Sequence, residues 1–159
     1  MKISGWLALG ALAICIGTGA AQRSGVVQRG ESDEGMGFSQ TTTTHHFYLT
    51  ETGGIIQVTA KDPKNAEQIA TVQMHLTHIV RMFSEGNFSI PHFVHGTNPP
   101  GAATMKRLRS SIRYTNETMP DGGRIKIETG SLEALTAVHN FLRFQIKDHE
   151  TGDPLLVSD

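Results

Sequence analysis

Cysteine is all but missing from this chain. The single one, Cys15, lies in an apolar run near the N-terminus, and Ile14 before it does not suit lipoprotein processing. Once that run is removed no thiol remains, which excludes disulfides, thiolate ligands and a cysteine nucleophile. Any metal must be held by nitrogen, oxygen or thioether sulfur. Long apolar stretches are missing too: the run from Trp6 to Ile16 is too short for a comfortable membrane span. Charge of one sign is also lacking. Without Lys2, 13 Lys and Arg stand against 15 Asp and Glu, a net charge of −2 and no electrostatic footprint for nucleic acid. There is no Gly-x-Ser-x-Gly, no glycine-rich phosphate loop and no Cys-x-x-Cys-His. The first two absences remove the common hydrolase and nucleotide signatures, and the third removes covalent c-type haem.

Histidine, by contrast, is plentiful, at eight in 159 residues. Residues 1–21 read as a secretory signal peptide: Lys2, the apolar run, and small residues "GAA" at 19–21 ahead of a cleavage before Gln22. The expected location is periplasmic or secreted, with no stable membrane span after processing. Residues 22–37 are polar and glycine-rich without a period, which predicts a flexible leader. Residues 38–153 are enough for a single domain with a modest core, followed by a tail at 154–159.

The domain is written twice. Phe47 and Leu49 alternate with His46, Tyr48 and Thr50; after "TGG", Ile56, Val58 and Ala60 alternate with Gln57 and Thr59. This is a hairpin with one buried face. Asp62 and Pro63 predict a helix start, and "EGN" at 85–87 ends that helix. The second half repeats the plan: Ile112 and Tyr114, a "PDGG" turn, Ile125 and Ile127, then a helix capped by Ser131 and running to about His149. Val72, Leu76 and Gly86 align with Val138, Leu142 and Gly152 at a constant offset of 66. The expected fold is α+β and two-layered. Two ββα units, 38–84 and 110–150, form a four-stranded, largely antiparallel sheet with both helices on one face. A long loop, 85–109, joins them; a loop of that length in a compact domain points to function or disorder, and Ile90, Phe93 and Val94 in its middle predict that part of it packs.

Helical and strand periods say where the histidines point. In the second helix Leu132, Leu135, Val138, Leu142 and Ile146 define a core stripe; His139 and His149 lie about 50° and about 30° from its centre. In the first strand His45 shares the side of Phe47 and Leu49, while His46 faces away. In the first helix His75 sits at the edge of the stripe and His78 almost opposite it. His45, His75, His139 and His149 therefore lean to one side, and the loop can add His95 and His92. Imidazoles converging from separate elements are metal chemistry. The candidate ligands are His45, His75, His95, His139 and His149, for Cu or Zn, with Asp148 and Glu150 as outer-shell neighbours. Met74, Met82 and Met105 are gap-fillers before they are thioether ligands. His46 and His78 are expected to be exposed bystanders.

From "TTTTHHF" to "KDHETGD", about 110 residues, the chain resembles a family of small exported bacterial His-rich proteins of unknown function. The likeness rests on His45 with Phe47, Asp62–Pro63, His75–Leu76, His95–Gly96, Pro100–Gly101, His139 and Asp148–His149. Members of that family sometimes carry the label aspartate carbamoyltransferase; this chain has no Ser-x-Arg-Thr phosphate-binding run, so the label brings no activity with it. Where members often end the loop in Met-Pro-Gly, this chain has "NPPG". The leading expectation is an exported protein that binds or carries a metal without catalysis. The alternatives are a metal-dependent hydrolase with an open position, its base one of Glu128, Glu133, Asp148 or Glu150, and a haem or small-ligand binder. A dimeric interaction module through Phe141 and Phe144 is a further one, unless the long loop covers those rings.

Overall fold

The computed structural model describes residues 37–157. The expected signal peptide, the leader before Gly37 and the last two residues lie outside them. Four strands form one antiparallel sheet: β1 (Thr43–Thr50), β2 (Gly53–Ala60), β3 (Ile112–Met119) and β4 (Gly122–Thr129). Their order, β1-β2-β4-β3, sets the two hairpins side by side with the return strands paired at the centre, Ile56 opposite Ile125. Each hairpin closes with a two-residue turn, Glu51–Thr52 and Pro120–Asp121.

The alternation read from the sequence selects the buried face. Phe47, Leu49, Ile56, Val58, Tyr114, Ile125 and Ile127 all enter one core. Two long helices cover that face, α1 (Ala66–Ser84) and, after two shorter helices, α4 (Leu132–Asp148). The expected α+β architecture of duplicated hairpin–helix units is the one observed. The helices are crossed over between the units: α1 lies mainly on β3 and β4, and α4 mainly on β1 and β2.

Four expectations are corrected. The first helix begins four residues after Asp62, because Asn65 is the cap that accepts from the Gln68 N–H. Asp62 instead accepts from Lys64 N–H and closes the preceding turn. The segment 85–109 packs, as its apolar middle predicts, but it is not a loop throughout: it holds α2 (Ser89–His95), α3 (Ala102–Arg107) and the start of a 3-10 turn at Arg109–Ser111. It folds over α4. Gly101, at φ 87°, passes so close that a Cβ there would stand 2.1 Å from the Ala137 carbonyl oxygen. Phe88 stacks on Phe83 with ring centres 4.5 Å apart and meets the edge of Phe141 at 5.9 Å. Phe141 is therefore 1% exposed, and Phe144 packs against the His95 ring at 5.0 Å. The dimer surface expected there is covered by the chain itself. The buried stripe of α4 runs through Ala134, Ala137, Val138, Phe141, Leu142, Gln145 and Ile146, and Leu132, assigned to it from the sequence, is 78% exposed.

The C-terminal segment from Thr151 to Val157 straps the outer edge of β1. The Asp153 carboxylate accepts from the Phe47 N–H at 2.9 Å and from His46 Nδ1 at 2.8 Å. The Leu155 carbonyl accepts from Arg143 Nε, and Val157 makes a parallel bridge to Leu49. Among the described residues no helix is long and apolar enough to cross a membrane.

Candidate functional site

Between the sheet and the helices lies a cavity of about 70 Å³, room for a few water-sized bodies. Four of the five candidate histidines reach it, each from a different segment: His45 from β1, His75 from α1, His95 from the end of α2 and His149 from the C-cap of α4. Apolar side chains, among them Phe47, Leu76, Pro91 and Val94, make up nearly all the rest of its wall. Among the described residues no Asp, Glu, Lys or Arg lines it.

His149 is the centre of the group. Its ring lies near-parallel to that of His45 with centres 5.6 Å apart, and at 90° to that of His95 with centres 5.0 Å apart. Its Nδ1 is buried and has no hydrogen-bond partner among the described residues. Phe38 stands between His45 and His75, stacked on the first at 6.0 Å and edge-on to the second at 5.1 Å. Metal–nitrogen bonds of about 2.0–2.1 Å and a ring radius of about 1.1 Å put the centres of two ligating imidazoles roughly 5–6 Å apart. The His149 neighbours stand at that spacing. Spacing is not convergence, however: among the described residues no three His, Cys, Asp or Glu side chains form a ready-made ligand set around one point.

The electrostatics favour uncharged rings. Burial first, then the neighbouring His75 and His46, lower the His45 pKa to about 4. Burial and then His78 lower that of His75 to about 4. Burial, then His45 and His95, lower that of His149 to about 3. A desolvated imidazole resists its charged form, and each charged neighbour would add repulsion. At neutral pH these three rings are uncharged, each with one N–H and one lone pair.

His95 is held differently. Its side chain is 1% exposed, and Nδ1 donates to the Asp148 carboxylate at 2.6 Å, itself 5% exposed. Its Nε2 lies 2.9 Å from the Gln145 amide oxygen, whose own Nε2 is buried without a partner. A neutral ring donating from Nδ1 has an acceptor at Nε2. A half-turn of the amide gives that acceptor an N–H and removes the orphan. Both nitrogens of the His95 ring are thus engaged, Nδ1 by a carboxylate of the kind that orients metal-binding histidines and Nε2 by the amide, so a metal would reach Nε2 only by displacing Gln145.

His139 is not part of this group. Its Nε2 donates to the carbonyls of Thr50 and Gly53, at 2.9 and 3.0 Å, and clamps the β1–β2 turn. It faces the sheet as expected, but ten residues of helix separate it from His149, about 15 Å of rise. His46, expected to be a bystander, donates to Asp153 and stacks on Tyr48 at 5.8 Å. His78 is exposed, its Nδ1 accepting from Arg81, and His92 is exposed. Met82 and Met105 fill the core, Met74 is exposed, and none of the three lines the cavity.

Sequence reasoning missed Phe38 and Gln145. Gln145 had a signal: it sits one turn before His149, on the same helix face. Phe38 had none beyond its place at the start of the domain. A second, polar pocket of about 400 Å³ adjoins the first, lined by Thr41, Thr43, Thr44, Lys61 and Thr151. His45 and His149 line both, so this pair forms the wall between the polar vestibule and the apolar cavity. No protein-family model, curated protein or solved structure matches the chain. The family likeness is thus carried by its short motifs alone.

Proposed function

We propose that this is an exported protein that binds a transition metal through His45, His149 and, once its Nε2 leaves Gln145, His95, with His75 lining the same cavity beyond Phe38. It holds or hands on the ion rather than using it in catalysis. The observation that carries this reading is the buried, unpartnered Nδ1 of His149, set between two further imidazoles at ligand spacing. A buried polar atom left without a partner costs about 1–3 kcal/mol, and a metal ion is a partner that several neutral imidazoles can share. The Asp148–His95 pair supplies the outer-shell support such a site uses. Export rests on residues 1–21.

Holding is favoured over hydrolysis because the wall is apolar and, among the described residues, no carboxylate lines it to serve as base. A cavity of about 70 Å³ suits an ion and its ligand atoms, not a porphyrin. The test is elemental analysis of protein purified from the periplasm without a His-tag, followed by metal titration. About one equivalent is expected in the wild type, with loss in His45→Ala and His149→Ala. His78→Ala and His139→Ala should keep it. A wild type that arrives metal-free and takes up none on titration defeats the proposal.

A further inference from the structure

We propose that the free edge of the sheet, β3, pairs antiparallel with β3 of a second copy of this chain about a two-fold axis through Thr115, joining the two sheets into one. The inference goes beyond metal binding and does not depend on it. β1 is closed along its outer side by Asp153 and the Val157 bridge. β3 has no such cover. It is the last strand in the order, and among the described residues no other segment gives its outer side a backbone hydrogen bond. It is eight residues long, holds no proline and keeps an unbroken register with β4. A long, regular edge of this kind is a template for another strand. Its two charges, Arg113 and Glu117, repel only partners that do not match them.

The strand matches itself. The Ala60 N–H donates to the Asp121 carbonyl, so along β4 odd-numbered residues turn toward β2 and even-numbered ones toward β3. Thr115 stands opposite Lys126, so odd-numbered residues of β3 spend their backbone groups inside the sheet. Even-numbered residues aim theirs at the open edge, apart from the Ile112 N–H, which the Arg109 carbonyl takes. Pairing centred on Thr115 then makes about six backbone hydrogen bonds between the copies. It also sets Arg113 opposite Glu117 of the second copy, once on each side of the axis. Centring on Arg113 or on Glu117 sets like charges on each other, and centring on Tyr114 or Asn116 brings the two charges together nowhere. Arg113 is exposed and has no acidic partner among the described residues, because Glu128 across from it pairs with Lys126 at 2.8 Å. Glu117 holds Arg124 at 2.6 Å. The row Arg124, Glu117, then Arg113 and Glu128 of the second copy, alternates in sign across the outer face. The helix layer leaves room for the join. α1 lies over β3 and β4 together. With strands about 4.8 Å apart, its axis stands about 5 Å from the two-fold, and two copies lie about 10 Å apart, an ordinary helix spacing. β1, which carries His45, is at the other end of the strand order.

The experiment is analytical ultracentrifugation of the untagged mature protein over about 1 μM to 1 mM. The expected result is twice the chain mass, falling to a single chain on dilution. Glu117→Arg and Arg113→Glu, each alone, set like charges across the axis and should raise the dissociation constant at least about tenfold. Mixed in equal amounts, the two variants should regain the dimer, because each altered residue then meets an opposite charge. Circular dichroism checks that both are folded. Thr115→Cys gives a second readout in a mature chain that has no other cysteine. Residues facing each other at a non-hydrogen-bonded position stand about 4.5 Å apart at Cα, within disulfide reach. Mild oxidation should link Thr115→Cys into a dimer on a non-reducing gel, while Lys126→Cys, on the same face one strand further in, stays unlinked. A single chain mass throughout the range overturns the inference. So does a dimer that both charge variants leave intact, a mixture no tighter than its components, or a Thr115→Cys protein that does not link. Metal uptake should be the same in the charge variants as in the wild type, so the two proposals stand or fall separately.

Discussion

Three largely desolvated histidines make the metal-free protein sensitive to acid. In the unfolded chain each titrates near pH 6.5, whereas in the fold His45 and His75 are held at about 4 and His149 at about 3. Above pH 6.5 both states are uncharged at these positions and the full stability is present. As pH falls below 6.5 the unfolded chain takes up protons that the folded chain refuses, so stability is lost until the folded values near 4 are reached. For three such groups the slope approaches about 4 kcal/mol per pH unit. Urea unfolding of the metal-free protein at pH 7.5, 6.5 and 5.5 should show the midpoint collapsing across the last step; an unchanged midpoint would mean the rings are not desolvated. His139 belongs to a different account. Replacing it by Ala removes the donor from two turn carbonyls and should cost about 1–3 kcal/mol without changing metal content, read by denaturation and elemental analysis side by side. Period-two and period-3.6 reasoning placed both His139 and His149 on the sheet side of α4, and that was legible. What it left out was distance along the axis, and so it joined two histidines that stand at opposite ends of β1.

Elements were legible where one surface set the pattern. The strands keep a strict alternation because a single face is buried, so the inward side of β1, His45 included, could be read directly. The α4 stripe was misjudged because that helix is covered twice, by the sheet and by the segment carrying α2 and α3. A phase drawn from the aliphatic residues alone misses the side that meets the linker, which is how Phe141 was put outside and Leu132 inside. That linker contact is also where the site is set, since α2 ends in His95. Gly101→Ala combines a left-handed backbone with a collision against the Ala137 carbonyl. A loss of about 2–3 kcal/mol is expected in denaturant unfolding. Metal affinity should fall at least about tenfold with it, because His95 is displaced from Asp148. A variant as stable as the wild type would mean the linker is not pinned there.

At the scale of the molecule, the crossed placement of the helices means that neither unit can complete its own core. α1 buries its apolar face mainly on the later hairpin and α4 on the earlier one. A fragment of residues 37–108 should therefore be unfolded by circular dichroism, and mixing it with 109–159 should restore helix signal and metal uptake. A fragment that folds alone would show that the units are independent. The crossing also fixes the order of events in synthesis, and the strap on β1 comes last of all. Asp153 is made 106 residues after the Phe47 amide that it caps. At about 5–20 residues per second, that edge of the sheet has no partner for on the order of 5–20 s in every round of translation. An edge strand without a partner invites pairing with another chain. The newborn protein thus passes through a window of vulnerability that the finished one does not have, and a shortened C-terminus would make that window permanent.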